Sequence, residues 1–157
     1  MNEKTPYELF DHTADLGVRA FATNLQELFE NAARGLYGAI GQLIPADETD
    51  AVAGVERHSD SHPQREHMQL KCDAGEHALL LRDFLTELLI WFETEDRMMA
   101  HITWTRLDET NLDATVTLAS LDLSRSELHR EVKAVTYHEL SVIEQDGLLV
   151  ASYIVDI

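Results

Sequence analysis

Two stretches of the chain carry apolar residues at three- and four-residue spacing, and most of the remainder alternates apolar with polar. In "TNLQELFENAARGLYGAIG" the residues Leu25, Leu28, Phe29, Ala32, Leu36 and Ile40 form one stripe, which predicts an amphipathic helix. Thr23 or Asn24 serves as its N-cap, Gln26 or Glu27 completes a capping box, and Gly41 fits the stop. In "EHALLLRDFLTELLIWFETED" the residues Leu81, Phe84, Leu85, Leu88, Leu89 and Phe92 give a second helix a broad apolar face, with Glu87, Glu93 and Asp96 off it.

Strands account for the rest. Residues 7–22, "YELFDHTADLGVRAFA", read as one extended segment with Gly17 marking a bulge or bend. "AHITWTRL" sets Ile102, Trp104 and Arg106 against His101, Thr103 and Thr105, then "DETN" turns into "LDATVTLASL", a hairpin. Residues 122–131 are a polar connection. The last pair, "VKAVTYHELSVIEQ" and "LLVASYIVDI", is joined by Asp146-Gly147, a strong hairpin signal. Counting back from that turn without bulges sets Tyr137 opposite Asp156 and makes the final residues an ordered strand end. Residues 45–67 are polar and Pro-interrupted, a mobile surface loop with a short strand at "AVAGVE" and another entering at "HMQLKC". The expected architecture is α+β: a largely antiparallel mixed sheet with two amphipathic helices packed on one face, forming a single domain over residues 1–157.

Composition narrows the function. The chain has 157 residues, 45% of them hydrophobic, enough for one core. No run approaches the ~20 apolar residues of a membrane span and no signal-peptide pattern opens the chain, so a soluble, cytoplasmic protein is expected. The lone Cys72 suits a reducing compartment and reads as a small hydrophobe beside a strand. With 29 acids against 12 Lys and Arg, the net charge of -17 repels phosphate backbones, so direct nucleic-acid binding is not expected. Such a surface suits metal cations or a basic protein partner, although acidity also serves solubility alone.

"DHTADLG", residues 11–17, concentrates the candidate chemistry. On an extended backbone Asp11, Thr13 and Asp15 share one face and His12 takes the other. Clustered carboxylates repel unless a proton or cation lies between them, and hard oxygen donors suit Ca²⁺, Mg²⁺ or Mn²⁺ better than zinc. Turn-capping or solvated acids are the plain alternative.

These residues also carry a resemblance. "DHTADLGVRAFATNLQELFENAARGL", "LLLRDFLTELLIWFETE", "VKAVTYHELSV" and the terminal "VASYIVDI" resemble, in order, the archease family. The most specific parts are His12-Thr13-Ala14-Asp15 with Gly17, the block Lys133 to His138, and the Asp-Ile terminus. The loop at 45–67 is longer and richer in His than the family pattern. The resemblance implies a small α+β, non-catalytic protein that activates an RtcB-type RNA ligase, promoting guanylylation of that metal-dependent, GTP-using enzyme and its multiple turnover in tRNA splicing or RNA repair. It also implies a divalent metal ion, Ca²⁺, Mg²⁺ or Mn²⁺, held by Asp15, Asp156 and Ile157. Asp11, His12, Thr13, Tyr137 and His138 are then candidate supporting residues around those ligands.

Other readings stay open. His58, His62 and His67 have spacings that zinc can use, against the commoner solvated loop. Tyr137 and His138 fit acid/base work or plain structural hydrogen bonding, and Trp91, Phe92 and Trp104 read as core. A metal-dependent hydrolase is an alternative function, but no Ser-His, Cys-His or His-Glu-x-x-His arrangement supports it. A chaperone-like binding module is another; it calls for exposed apolar patches, whereas the helix stripes are fully used by a sheet.

Overall fold

The computed structural model describes residues 5–46 and 65–157, and the expected strand at "AVAGVE" and the histidines His58 and His62 lie outside that range. The N-terminal segment is a hairpin, with β1 (Tyr7–His12) paired antiparallel to β2 (Asp15–Ala22). This corrects the single extended segment: the chain reverses at Thr13-Ala14, where Thr13 has φ 48°, and not at Gly17. Gly17 sits in unbroken pairing, opposite Phe10 on one side and Ile154 on the other. Its lack of a side chain has another cause: a Cβ there would lie 2.2 Å from Phe10 ring carbons, so the bare backbone accommodates the ring.

Helix α1 (Leu25–Ile40) begins and ends as its residues dictate. Asn24 accepts a hydrogen bond from the Glu27 backbone N–H at 2.9 Å, and Leu28, Phe29, Ala32, Leu36 and Ile40 are all buried. At its end Gly41 opens β3 (Gly41–Gln42), which pairs with β7 (Glu127–Leu128) inside the connection that reads as merely polar. A Cβ on Gly41 would meet the Glu127 carbonyl oxygen at 2.1 Å, so this approach of two backbones requires glycine. Asp122 organises the turn before β7, accepting from the Ser124 N–H and hydroxyl and from Arg125 Nε; these bonds hold its carboxyl down at about 2.

Strand β4 (Arg65–Asp73) starts within the segment expected to be loop, and His67 Nδ1 lies 3.0 Å from Thr117 Oγ1. Helix α2 (His77–Glu95) buries Leu80, Leu81, Phe84, Leu85 and Leu88 completely and closes at Asp96, which takes the left-handed conformation at φ 55°. Then β5 (Arg97–Leu107) and β6 (Asn111–Ser120) form the expected hairpin, with irregularities between Met99 and His101 and between Trp104 and Arg106. The second one corrects the simple alternation. Trp104 pairs with Ala114 and Arg106 with Asp113, so the extra residue Thr105 turns Arg106 away from the apolar face, where it pairs with Asp108 at 2.8 Å. Cys72 is half-buried in β4, and burial, then Asp83, Glu87 and Asp73, push its thiol up to about 11.

The remaining strands are β8 (Ala134–Val135), β9 (Ser141–Gln145) and β10 (Leu148–Asp156). Asp146 (φ 53°) and Gly147 (φ 80°) make the tight turn, and Gln145 pairs with Leu148 as expected. The register does not continue to Tyr137. Val155 pairs with Val135 and Asp156 with Ala134, three positions from the simple count, because residues 136–140 leave the ladder. Thr136 donates from both its N–H and hydroxyl to the Ile154 carbonyl, its hydroxyl oxygen accepts from the His138 N–H, and Glu139 turns through φ 51°.

The fold is α+β with two helices and, among the described residues, wholly antiparallel pairing. The strands divide between two principal sheets, β1-β2-β10-β8 with β9 also on β10, and β4-β6-β5; one sheet with both helices on its face is therefore not the arrangement. Helix α1 packs on β2, β1 and β10, while α2 packs on β5, β8 and β4. Phe29, Phe84 and Trp104 meet between them with ring centroids 5.5–6.1 Å apart. Tyr153, fully buried in β10, donates to the Ala32 carbonyl of α1 at 2.7 Å and fixes helix to sheet.

Candidate metal centre

The two ends of the chain meet on β2 and β10. Val155 pairs with Leu16, and one further step of that register sets Asp156 across from Asp15. On the other side of β2, Asp15 pairs with His12. Directly opposed residues share a face, so His12, Asp15 and Asp156 form a row across three strands, on the side away from buried Leu16 and Val155. The backbone of the row is held: the Asp156 carbonyl accepts from the Lys133 N–H at 2.7 Å. Ile157 follows immediately and is 36% exposed.

Several expected placements are corrected here. His12 shares a face with Asp15, because the hairpin reversal at Thr13-Ala14 replaces the alternation of a single strand. Asp11 pairs with Leu16 and so faces the other side, away from the row, and Thr13 is an exposed turn residue. Tyr137 is also displaced. Its ring, 64% exposed, lies under the Arg82 guanidinium at 3.8 Å, and Arg82 Nε donates to the Val135 carbonyl.

His138 does join the row, together with a residue not singled out by sequence. His12 and His138 approach edge-on with ring centroids 5.2 Å apart, and His12 Nε2 lies 3.2 Å from Glu139 Oε2. One donor atom from each of His12, His138 and Glu139 falls within 4.8 Å of the others. The only hint of Glu139 in the sequence was its place beside His138; the turn that aims it depends on the departure of residues 136–140 from the ladder.

The carboxylate pair suits a hard divalent cation. Asp15 and Asp156 are the next residues of β2 and β10 beyond the Leu16–Val155 pair, and among the described residues neither side chain has an ion-pair or hydrogen-bond partner. Carboxylate oxygens are hard donors, the class that Ca²⁺, Mg²⁺ and Mn²⁺ take.

Fold and site together define a class: small antiparallel α+β proteins in which the first hairpin and the last strand join their acidic ends on one sheet face. The profile of the Archease protein family (MTH1598/TM1083) matches residues 7–157, and the chain belongs to that family. It is 30% identical to the archease of Methanopyrus kandleri, over 97% of this chain and 99% of that one. With the archease of Sulfurisphaera tokodaii the identity is 29%, over 96% and 98%. The solution structure of protein 1598 from Methanobacterium thermoautotrophicum matches with a TM-score of 0.66 at 28% identity, covering 98% of this chain and all of the other. The crystal structure of an archease from Thermotoga maritima, described as a possible chaperone, matches with a TM-score of 0.63 at 18% identity and shares the fold, over 100% of this chain and 98% of that one. Among the described residues no helix is long and apolar enough to cross a membrane.

Proposed function

We propose that this protein is a non-catalytic, metal-binding activator of an RtcB-type RNA ligase, acting in tRNA splicing or RNA repair in the cytoplasm. The observation that supports the metal site is the pairing of Val155 with Leu16, beyond which Asp156 and Asp15 are the next residues of their strands. Asp15, Asp156 and the main-chain oxygen of Ile157 hold a Ca²⁺, Mg²⁺ or Mn²⁺ ion. These donors fill only part of the ~6 to 8 oxygen positions such ions take, so water or groups of the ligase complete the shell. An open shell at an exposed strand end suits sharing or delivery of a metal at a second protein's active site. The net charge of -17 supports docking on a basic protein surface and disfavours direct contact with RNA.

The test mixes ligase, GTP, Mn²⁺ and broken RNA with catalytic amounts of this protein and counts ligation turnovers. Asp15→Asn and Asp156→Asn are expected to remove the stimulation, and Ca²⁺ is expected to raise the melting temperature of the wild type but of neither variant. Full stimulation by both variants overturns the reading, and RNA joining without ligase makes the protein an enzyme in its own right. A chaperone-like module is the second reading. Leu123 and Leu128, 74% and 60% exposed around β7, are the side chains that favour it. Suppressed aggregation of an unrelated unfolded client, lost in Leu123→Ser/Leu128→Ser, distinguishes it.

A further inference from the structure

We propose that His12, His138 and Glu139 form a second cation site, built for a borderline divalent transition metal of the zinc class and distinct in its donors from the carboxylate pair. Two imidazoles and one carboxylate are the donor set of zinc and of open-sided iron(II) sites, whereas Ca²⁺ and Mg²⁺ take oxygen. The distances fit. Metal bonds of ~2.0–2.1 Å in tetrahedral geometry place neighbouring donors ~3.3 Å apart. His12 Nε2 and Glu139 Oε2 already lie 3.2 Å apart, and all three donors fall within 4.8 Å. His138 and Glu139 are exposed, so rotamer adjustment at either closes the remaining gap without moving the core.

The site unites two distant parts of the chain. His12 ends β1 and is anchored by pairing with Asp15, while His138 and Glu139 project from the segment that leaves the β8–β9 edge. That segment is not a random excursion: the Thr136 hydroxyl, bonded to Ile154, receives the His138 N–H and sets its direction. A metal at His12 Nε2 takes that nitrogen's lone pair and lies on the side that faces Glu139 Oε2, 3.2 Å away. With three protein donors, one or more positions stay open to water or to a group from a partner, which marks a site for exchange or catalysis by a bound partner and not a closed structural site. The proposal concerns the chain's own metal chemistry and stands whether or not the partner is a ligase.

Cobalt(II) serves as the spectroscopic probe and zinc as the competitor, titrated into the full chain carrying His58→Ala and His62→Ala so that those histidines contribute no binding. One equivalent of Co²⁺ is expected to bind with visible d–d bands and to be displaced by Zn²⁺ but not by Ca²⁺. His138→Ala and Glu139→Gln are each expected to weaken Co²⁺ binding by about 10-fold or more, as loss of one of three donors requires, while Asp15→Asn keeps it within about 3-fold. A smaller loss in either of the first two variants, or no binding by the parent, overturns the site. A larger loss in Asp15→Asn overturns its separateness and merges the two groups into one centre. Both exposed substitutions leave the core untouched, and unchanged far-UV circular dichroism checks that the folds are equal.

Discussion

Replacing Tyr153 by Phe should weaken the protein at neutral pH and strengthen it relative to wild type in strong alkali. The Tyr153 hydroxyl is fully buried and donates to the Ala32 carbonyl at 2.7 Å. Its loss at pH 8 costs about 1–1.5 kcal/mol, a melting-temperature drop of roughly 2–6 °C for a chain of this size. Burial raises the Tyr153 pKa well above 10, with Tyr7 adding in the same direction. Below pH 10 the folded and unfolded states both keep this proton, so it contributes no pH dependence. Above pH 10 the unfolded chain releases it and the folded one retains it, so stability falls as pH rises, by about 1.4 kcal/mol per pH unit for each such tyrosine. Tyr37 behaves alike, raised mainly by burial although its oxygen accepts from the Met99 N–H, so the wild type should lose roughly 2.8 kcal/mol per unit from the pair. Tyr153→Phe removes half of that slope. The single unit from pH 10 to 11 costs wild-type Tyr153 about 1.4 kcal/mol, so the two stability curves cross near pH 11. Urea denaturation followed by circular dichroism from pH 8 to 11.5 measures the crossing. A stability difference that stays constant across that range refutes the reasoning, since it means that Tyr153 ionises equally in both states.

Two further substitutions test packing at glycines. Gly41→Ala puts a methyl into the Glu127 carbonyl, backbone against backbone, and should cost about 1–3 kcal/mol by urea denaturation, with hydrogen exchange rising at the β3–β7 pair. Gly17→Ala collides instead with the Phe10 ring, a side chain that can be removed, so Phe10→Ala should relieve about 0.5 kcal/mol or more of its cost in a double-mutant cycle; strict additivity means that the ring does not confine Gly17.

Periodicity carried both helices because a buried stripe at 3.6-residue spacing has one structural meaning, and Asp146-Gly147 fixed its own turn because two consecutive positive φ angles favour those residues. The partition into two sheets was not legible. Alternation states which residues are buried and says nothing of which strand edges pair, so one sheet and two sheets have the same pattern. The reversal at Thr13-Ala14 was hidden for a related reason: Thr is an uncommon residue at positive φ, whereas Gly17, three residues past Ala14, is the usual mark of a bend and here serves Phe10 instead. The bulge at Thr105 shows the same limit, since one inserted residue moves Arg106 to the opposite face without changing composition.

The candidate site was half legible, and the reason lies in how it is built. Asp15 and Asp156 belong to regular strands, so the hairpin count could establish that the last strand is ordered, and the observed register then brings it to the first hairpin. His138 and Glu139 owe their place to irregularity: a three-position slip, a hydroxyl-capped turn at Thr136 and a left-handed Glu139. Had the ladder continued from Ser141, Tyr137 would face Asp156 and no second imidazole would reach His12. The slip therefore substitutes two metal-capable side chains for an aromatic one beside the acidic pair, and it sends Tyr137 outward against Arg82, where an exposed ring and a guanidinium lie close to the same strand end. The proposed second site thus rests on the one part of the last strand pair where the ladder is interrupted, since it is this interruption that sets His138 and Glu139 beside His12.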